Sequence, residues 1–155
     1  MKAEEKAGSQ PGVCSQAASE TLLPAEQCQS TIDGRSGSSA CAIIAGLFSH
    51  HFLFADERLC LTPSALCEVM ANGNAVYDSH EFSGRFLSAD EVLNLSPSLG
   101  LRMLHEKFLH PNQLSTLVDL LREDCSQSPR RRAAALFVCT PYSFSLACTD
   151  DEVFV

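Results

Sequence analysis

The sequence predicts an α+β domain with helices in its N-terminal part and an antiparallel β-meander at its end. Three observations lead there. Behind recognisable capping residues, apolar side chains recur at helical spacing from about residue 40 to 124. From residue 133 the period shortens to that of strands. The chain also has 155 residues, 45% apolar and 19% charged, which is the composition of one globular domain with its own core.

Residues 1–28 are polar, rich in small side chains and aperiodic, so they read as a flexible leader ahead of a domain at 29–155. A glycine/serine turn at 33–39 feeds a helix at 40–54, which Ser38 or Ser39 is placed to cap. Ile43, Ile44, Leu47, Phe48, Phe52, Leu53 and Phe54 surround most of that helix, so it belongs in the middle of the domain. A second helix opens at "TPSALCEVM", with Thr62 as N-cap and Pro63 at the first position, and Asn72-Gly73-Asn74 is expected to weaken or end it. "SADEVLNL" carries a capping box, Ser88 with Glu91 three residues on. Residues 112–124 place Leu114, Leu117, Val118 and Leu121 on one helical stripe. "AAALFVCT" then reads as a buried strand. "YSFSLAC" alternates, with Phe144, Leu146 and Cys148 on one face and Ser143, Ser145 and Ala147 on the other. "EVFV" opens a third strand; because Val155 follows without a turn or polar cap, the chain is expected to be a truncated domain.

Several partners are disfavoured. The net charge of −8 argues against nucleic acid, whose phosphates are bound by Lys and Arg. The one basic cluster, "PRRRAA" at 129–134, reads as a solvated loop or a docking patch for an acidic partner. The start lacks a basic segment followed by an apolar one, so no secretory signal is visible. The longest apolar run, Cys41 to Phe54, is interrupted by Ser49, His50 and His51 and is shorter than the roughly 20 residues a bilayer requires. The expectation is an intracellular, cytoplasmic protein without a membrane partner. Its eight cysteines include no Cys-x-x-Cys pair, which argues against a structural zinc site. Cys60, Cys139 and Cys148 lie in apolar runs and read as reduced core residues. No cofactor and no metal are expected; Asp78, His80 and Glu81 are adjacent residues that point apart.

Cys41 stands out because it falls in the first turn of the central helix. A helix N-terminus stabilises a thiolate, and its free N–H groups can face an oxyanion. Small neighbours, Gly37 to Ala40, let a substrate backbone approach. The alternative is a small hydrophobe buried in a core helix.

"DGRSGSSACAIIAGL", followed by helices and an antiparallel sheet, resembles the papain-like cysteine peptidases, and within them the OTU-type and herpesvirus tegument-type deubiquitinases. Asp33-Gly34 ahead of Cys41 echoes the OTU motif, with six residues between Gly34 and Cys41 where that motif has about one. "GNAVYD" and "FLSADEVL" are similar to the middle of such domains. The likeness covers 29–155 in element order and 29–48 at residue level. It implies a thiol hydrolase with Cys41 as nucleophile, acting on a protein or peptide, ubiquitin or a ubiquitin-like modifier among them. It also implies a glutamine upstream as oxyanion donor, a role that falls on Gln29, twelve residues before Cys41.

The family's base is a histidine following a sheet strand, and none of the five histidines lies on the meander. His50 and His51 are on the Cys41 helix, about 13–15 Å along it. His105 and His110 read as a solvated helix end. His80 in "YDSHEF" is the one in-chain candidate, with Asp78 to orient it, if its loop folds back toward Cys41. The chain as given is therefore expected to be inactive for want of a base. The competing expectation is a non-catalytic binding module, a pseudoenzyme adaptor of the same fold.

Overall fold

The computed structural model describes residues 28–55, 62–80, 82, 84–95, 113–139 and 141–155. The leader expected at 1–28 falls outside them except for Cys28, as do Cys60, Glu81, His105 and His110. Four helices and a three-stranded antiparallel sheet make the described part α+β. After a single 3₁₀ turn at Ile32–Gly34 come α1 (Cys41–Phe54), α2 (Pro63–Ser79), α3 (Ala89–Leu95) and α4 (Leu114–Gln127). The strands β1 (Arg132–Cys139), β2 (Tyr142–Thr149) and β3 (Val153–Phe154) follow in spatial order 1-2-3, each antiparallel to the next.

The caps behave as their chemistry dictates. Thr62 Oγ1 accepts from the Ala65 N–H at 3.2 Å, and Pro63 occupies a position whose missing N–H leaves no helical bond unmade. Ser88 and Glu91 exchange bonds across the start of α3. The Ser88 N–H donates to Glu91 Oε2 at 2.9 Å and the Glu91 N–H donates to Ser88 Oγ at 3.3 Å.

Helix α1 is the centre of the molecule. On one side its Ala42 and Ile43 pack with Tyr77 of α2, Val92 of α3 and Leu87. On another it covers the sheet, Phe48 and Phe52 meeting Ala134, Ala147 and Phe154. Helix α4 covers the opposite face of the sheet, with Leu121 and Cys125 against Ala133, Leu146 and Cys148. Both faces of β2 are therefore covered by helix over residues 145–148, the serine-bearing face included. Ser145 is buried there and meets Ser49 of α1, the two Oγ atoms 2.7 Å apart. Ser49 also donates to the Ala45 carbonyl at 3.0 Å, which leaves the Ser145 hydroxyl to donate to Ser49.

Two expectations are corrected. Asn72-Gly73-Asn74 neither ends nor interrupts α2, which runs on to Ser79. Gly73 sits where α2 presses on Ile44 of α1: a Cβ there would collide with Ile44 Cγ1 and lie 3.1 Å from its Cα. The glycine is thus a packing requirement, and tertiary contact overrides its poor helix propensity. The arginine cluster is also more than a solvated loop. Arg132 is buried and its Nη1 donates to the carbonyls of Phe52 and Ala55 at 2.8 and 2.6 Å. Arg130 Nη1 reaches those of Leu53 and Phe54 at 3.3 and 3.1 Å. Together they satisfy carbonyls left open at the C-terminus of α1 and place positive charge at the negative end of its dipole. Arg131 turns outward to Asp150, Nε to Oδ2 2.7 Å.

Candidate functional site

Cys41 is the first residue of α1 and is half-buried. The N-cap position is Ala40, which makes no side-chain cap. Ser38 bonds one residue earlier than expected, its Oγ accepting from the Ala40 N–H at 3.1 Å. Helix geometry gives the N–H groups of Cys41, Ala42 and Ile43 no acceptor inside the helix, so the end beside the thiol remains electropositive.

The thiol opens on a cleft of about 410 Å³ lined by Gln29, Ser30, Ser38, Cys41, Phe86, Pro141, Tyr142 and Ser143. Four separate stretches of chain build it: the segment before the 3₁₀ turn, the head of α1, the segment before α3, and the tip of the β1–β2 hairpin. The hairpin register pairs Cys139 with Tyr142, which brings Pro141, just ahead of β2, over the head of α1. Cys41 Sγ lies 3.9 Å from the Pro141 carbonyl oxygen, to which its S–H donates. Phe86 and Tyr142 are exposed aromatic walls; Tyr142 is 74% exposed.

Helix α2 anchors three of these stretches. Asn74, 2% exposed, accepts from Ser38 Oγ at 2.5 Å and donates through Nδ2 to the Gln29 carbonyl at 2.9 Å. Tyr77 donates its hydroxyl to the Arg85 carbonyl at 2.7 Å, next to Phe86. Asp78 receives both terminal nitrogens of Arg35 at 2.5 and 3.0 Å. Those hydrogen bonds hold its carboxyl below the usual carboxylate range. The sequence showed Asn74 and Tyr77 only as part of Asn72-Gly73-Asn74 and of "GNAVYD", with no role at the site for either; the signal available was their position three apart in a helix whose tertiary face was unknown.

Of the residues the sequence singled out, Cys41 and Gln29 meet in the cleft and His80 does not line it. His80 terminates α2, where its Nδ1 bonds to the Val76 carbonyl at 2.9 Å and its ring stacks on Phe82, centroids 5.5 Å apart. Asp78, which was to orient it, is engaged by Arg35. The His50 ring meets that of Phe54 at a tilt, centroids 4.9 Å apart, and His51 sits in the last turn of α1. Among the described residues, then, no histidine lines the cleft, and the thiol faces a carbonyl, which accepts a hydrogen bond but does not remove a proton.

The other thiols differ in kind. Cys28 is exposed, and hydrogen bonds, from the Thr31 hydroxyl foremost, pull its thiol below the ordinary cysteine value. Cys125 is buried between α4 and β2, where desolvation first and Cys148 second push it up to about 11. Cys148 is buried as expected, whereas Cys139 is exposed at the hairpin end of β1. Among the described residues no group of His, Cys, Asp or Glu is arranged to hold a metal ion, and no helix is long and apolar enough to cross a membrane.

Comparison with protein-family models, with curated proteins and with solved structures returns no match for this chain.

Proposed function

We propose that the chain carries a papain-like thiol-hydrolase cleft of the deubiquitinase-like kind, in which Cys41 is the nucleophile and Gln29 assists the oxyanion. One observation carries this: two residues twelve apart, one ahead of the 3₁₀ turn and one opening α1, line the same cleft at the N-terminus of the central helix. The Cys41 thiolate would add to a carbonyl carbon seated there, the C=O π pair moving to oxygen, where first-turn N–H groups and the Gln29 side chain would stabilise it. Collapse of that adduct would break the bond to the leaving group, whose proton must come from outside the described lining. The substrate class is an extended protein or peptide segment, the tail of ubiquitin or a ubiquitin-like modifier among them, passing between Phe86 and Tyr142. The small side chains of Ser30, Ser38 and Ser143 leave room for its backbone. The proposed compartment is the reducing cytoplasm, which suits six free thiols among the described residues.

A second reading, a peptide-binding module of the same fold without turnover, is favoured by the Cys41–Pro141 contact and by the absence of a histidine from the described lining. Both are tested by incubating residues 1–155 with a fluorogenic substrate carrying the ubiquitin C-terminal tail. For this chain, whose described cleft lining holds no base, the expected result is binding of the tail without turnover. The two readings part at Cys41, which the first expects an electrophile carried on that tail to modify and the second does not. Turnover abolished by both Cys41→Ala and His80→Ala would make His80 the base. Turnover indifferent to Cys41→Ala would remove the thiol-hydrolase reading.

A further inference from the structure

We propose that Asn74 is the positioning residue of the cleft, a clamp that holds the Gln29 wall and the Ser38 wall in register across the Cys41 thiol. The proposal rests on the functional reading only for its consequence at Cys41; the clamp itself is a matter of geometry. Asn74 is 2% exposed, and both ends of its amide are engaged by residues of the cleft lining. The oxygen accepts from Ser38 Oγ, which in turn accepts from the Ala40 N–H immediately before Cys41. The nitrogen donates to the carbonyl of Gln29. One side chain thereby links the two loops that flank the sulfur, and no hydrophobic residue of similar size could replace either bond.

The clamp is built on a rigid base. Gly73, the preceding residue, brings α2 against Ile44 of α1, so the helix bearing Asn74 is registered against the helix bearing Cys41. One turn on, Asp78 grips Arg35, whose Nε reaches the Gly37 carbonyl at 3.4 Å, and so braces the segment leading to Ser38. In Asn74→Leu both loops lose their buried partner. In Ser38→Ala only the second loop does.

Amide hydrogen exchange tests the clamp directly. Asn74→Leu should speed exchange about tenfold at both 28–31 and 37–40, the factor expected for one lost buried hydrogen bond per loop, while β1, β2 and α4 keep their protection. Ser38→Ala should loosen 37–40 alone, and Asn74→Asp, which keeps the acceptor for Ser38 but removes the donor to the Gln29 carbonyl, should loosen 28–31 alone and decides the matter if Asn74→Leu fails to fold. Unchanged exchange at 37–40 in Ser38→Ala, or loosening in Asn74→Leu that spreads evenly over the domain, would overturn the proposal. Alkylation of Cys41 supplies the functional readout. Asn74→Leu should slow a peptidyl acyloxymethyl ketone, which needs both walls, about tenfold more than it slows iodoacetamide, which needs only the thiol. If the unsubstituted protein shows no preference for the peptidyl reagent, the thiol-hydrolase reading fails, while the clamp still stands or falls on the exchange pattern.

Discussion

Replacing Gly73 by alanine tests whether the packing of α2 on α1 is as close as described. In a free helix interior this change stabilises by about 1 kcal/mol, because alanine loses less backbone entropy than glycine. Here the new Cβ would meet Ile44, with its Cα at 3.1 Å and its Cβ at 3.3 Å in addition to Cγ1. A rotamer change of Ile44 relieves only Cγ1, so the helices must separate by a few tenths of an ångström. Overpacking of this kind costs about 1–3 kcal/mol. Set against the propensity gain, the net expectation is a loss of up to about 2 kcal/mol, or a Tm lower by up to about 4–8 °C for a domain of this size. Urea denaturation followed by circular dichroism gives the sign, and pairing with Ile44→Ala should recover part of the loss by removing Cγ1. A Gly73→Ala protein more stable than the parent, or a double variant whose losses simply add, would refute the close approach.

Two other outcomes follow from the same structure. Arg132→Met leaves the carbonyls of Phe52 and Ala55 without their charged donor at the end of α1, and should lower stability by about 3 kcal/mol in urea melts, with Arg132→Lys intermediate. Cys28, whose thiol is held below its ordinary value, should react with iodoacetamide at a pH where Cys125, pushed up to about 11, is still protected. The sign is fixed by Thr31: in Thr31→Val the pH profile of Cys28 alkylation should move upward, as mass spectrometry of the labelled peptides would read.

What the sequence made legible was local. Thr62 with Pro63, and Ser88 with Glu91, act through bonds to residues three positions away, so their pattern is complete in the chain itself. The change of period near residue 133 likewise announced the meander. What stayed hidden depended on partners distant in sequence. Gly73 looks like a helix breaker until Ile44 is placed against it. Arg132 looks solvated until the end of α1 lies beside it. Ser145 seemed to belong to a polar strand face and is instead satisfied by Ser49, 96 residues away. At the site, Cys41 was marked by its turn and helix, and Gln29 by the family resemblance alone. Asn74 could not be found, since a polar residue inside a helix carries no sign of which loops it will hold.

The central claim, that Cys41 is the nucleophile of a cleft shared with Gln29, is tested most directly by mapping which cysteine a ubiquitin-tail electrophile modifies. Run in a Cys28→Ser background, so that the exposed thiol does not compete, the reaction should modify Cys41 alone and slow several-fold in Gln29→Ala. Modification of Cys139 or Cys67 with Cys41 untouched, or a rate indifferent to Gln29, would contradict it.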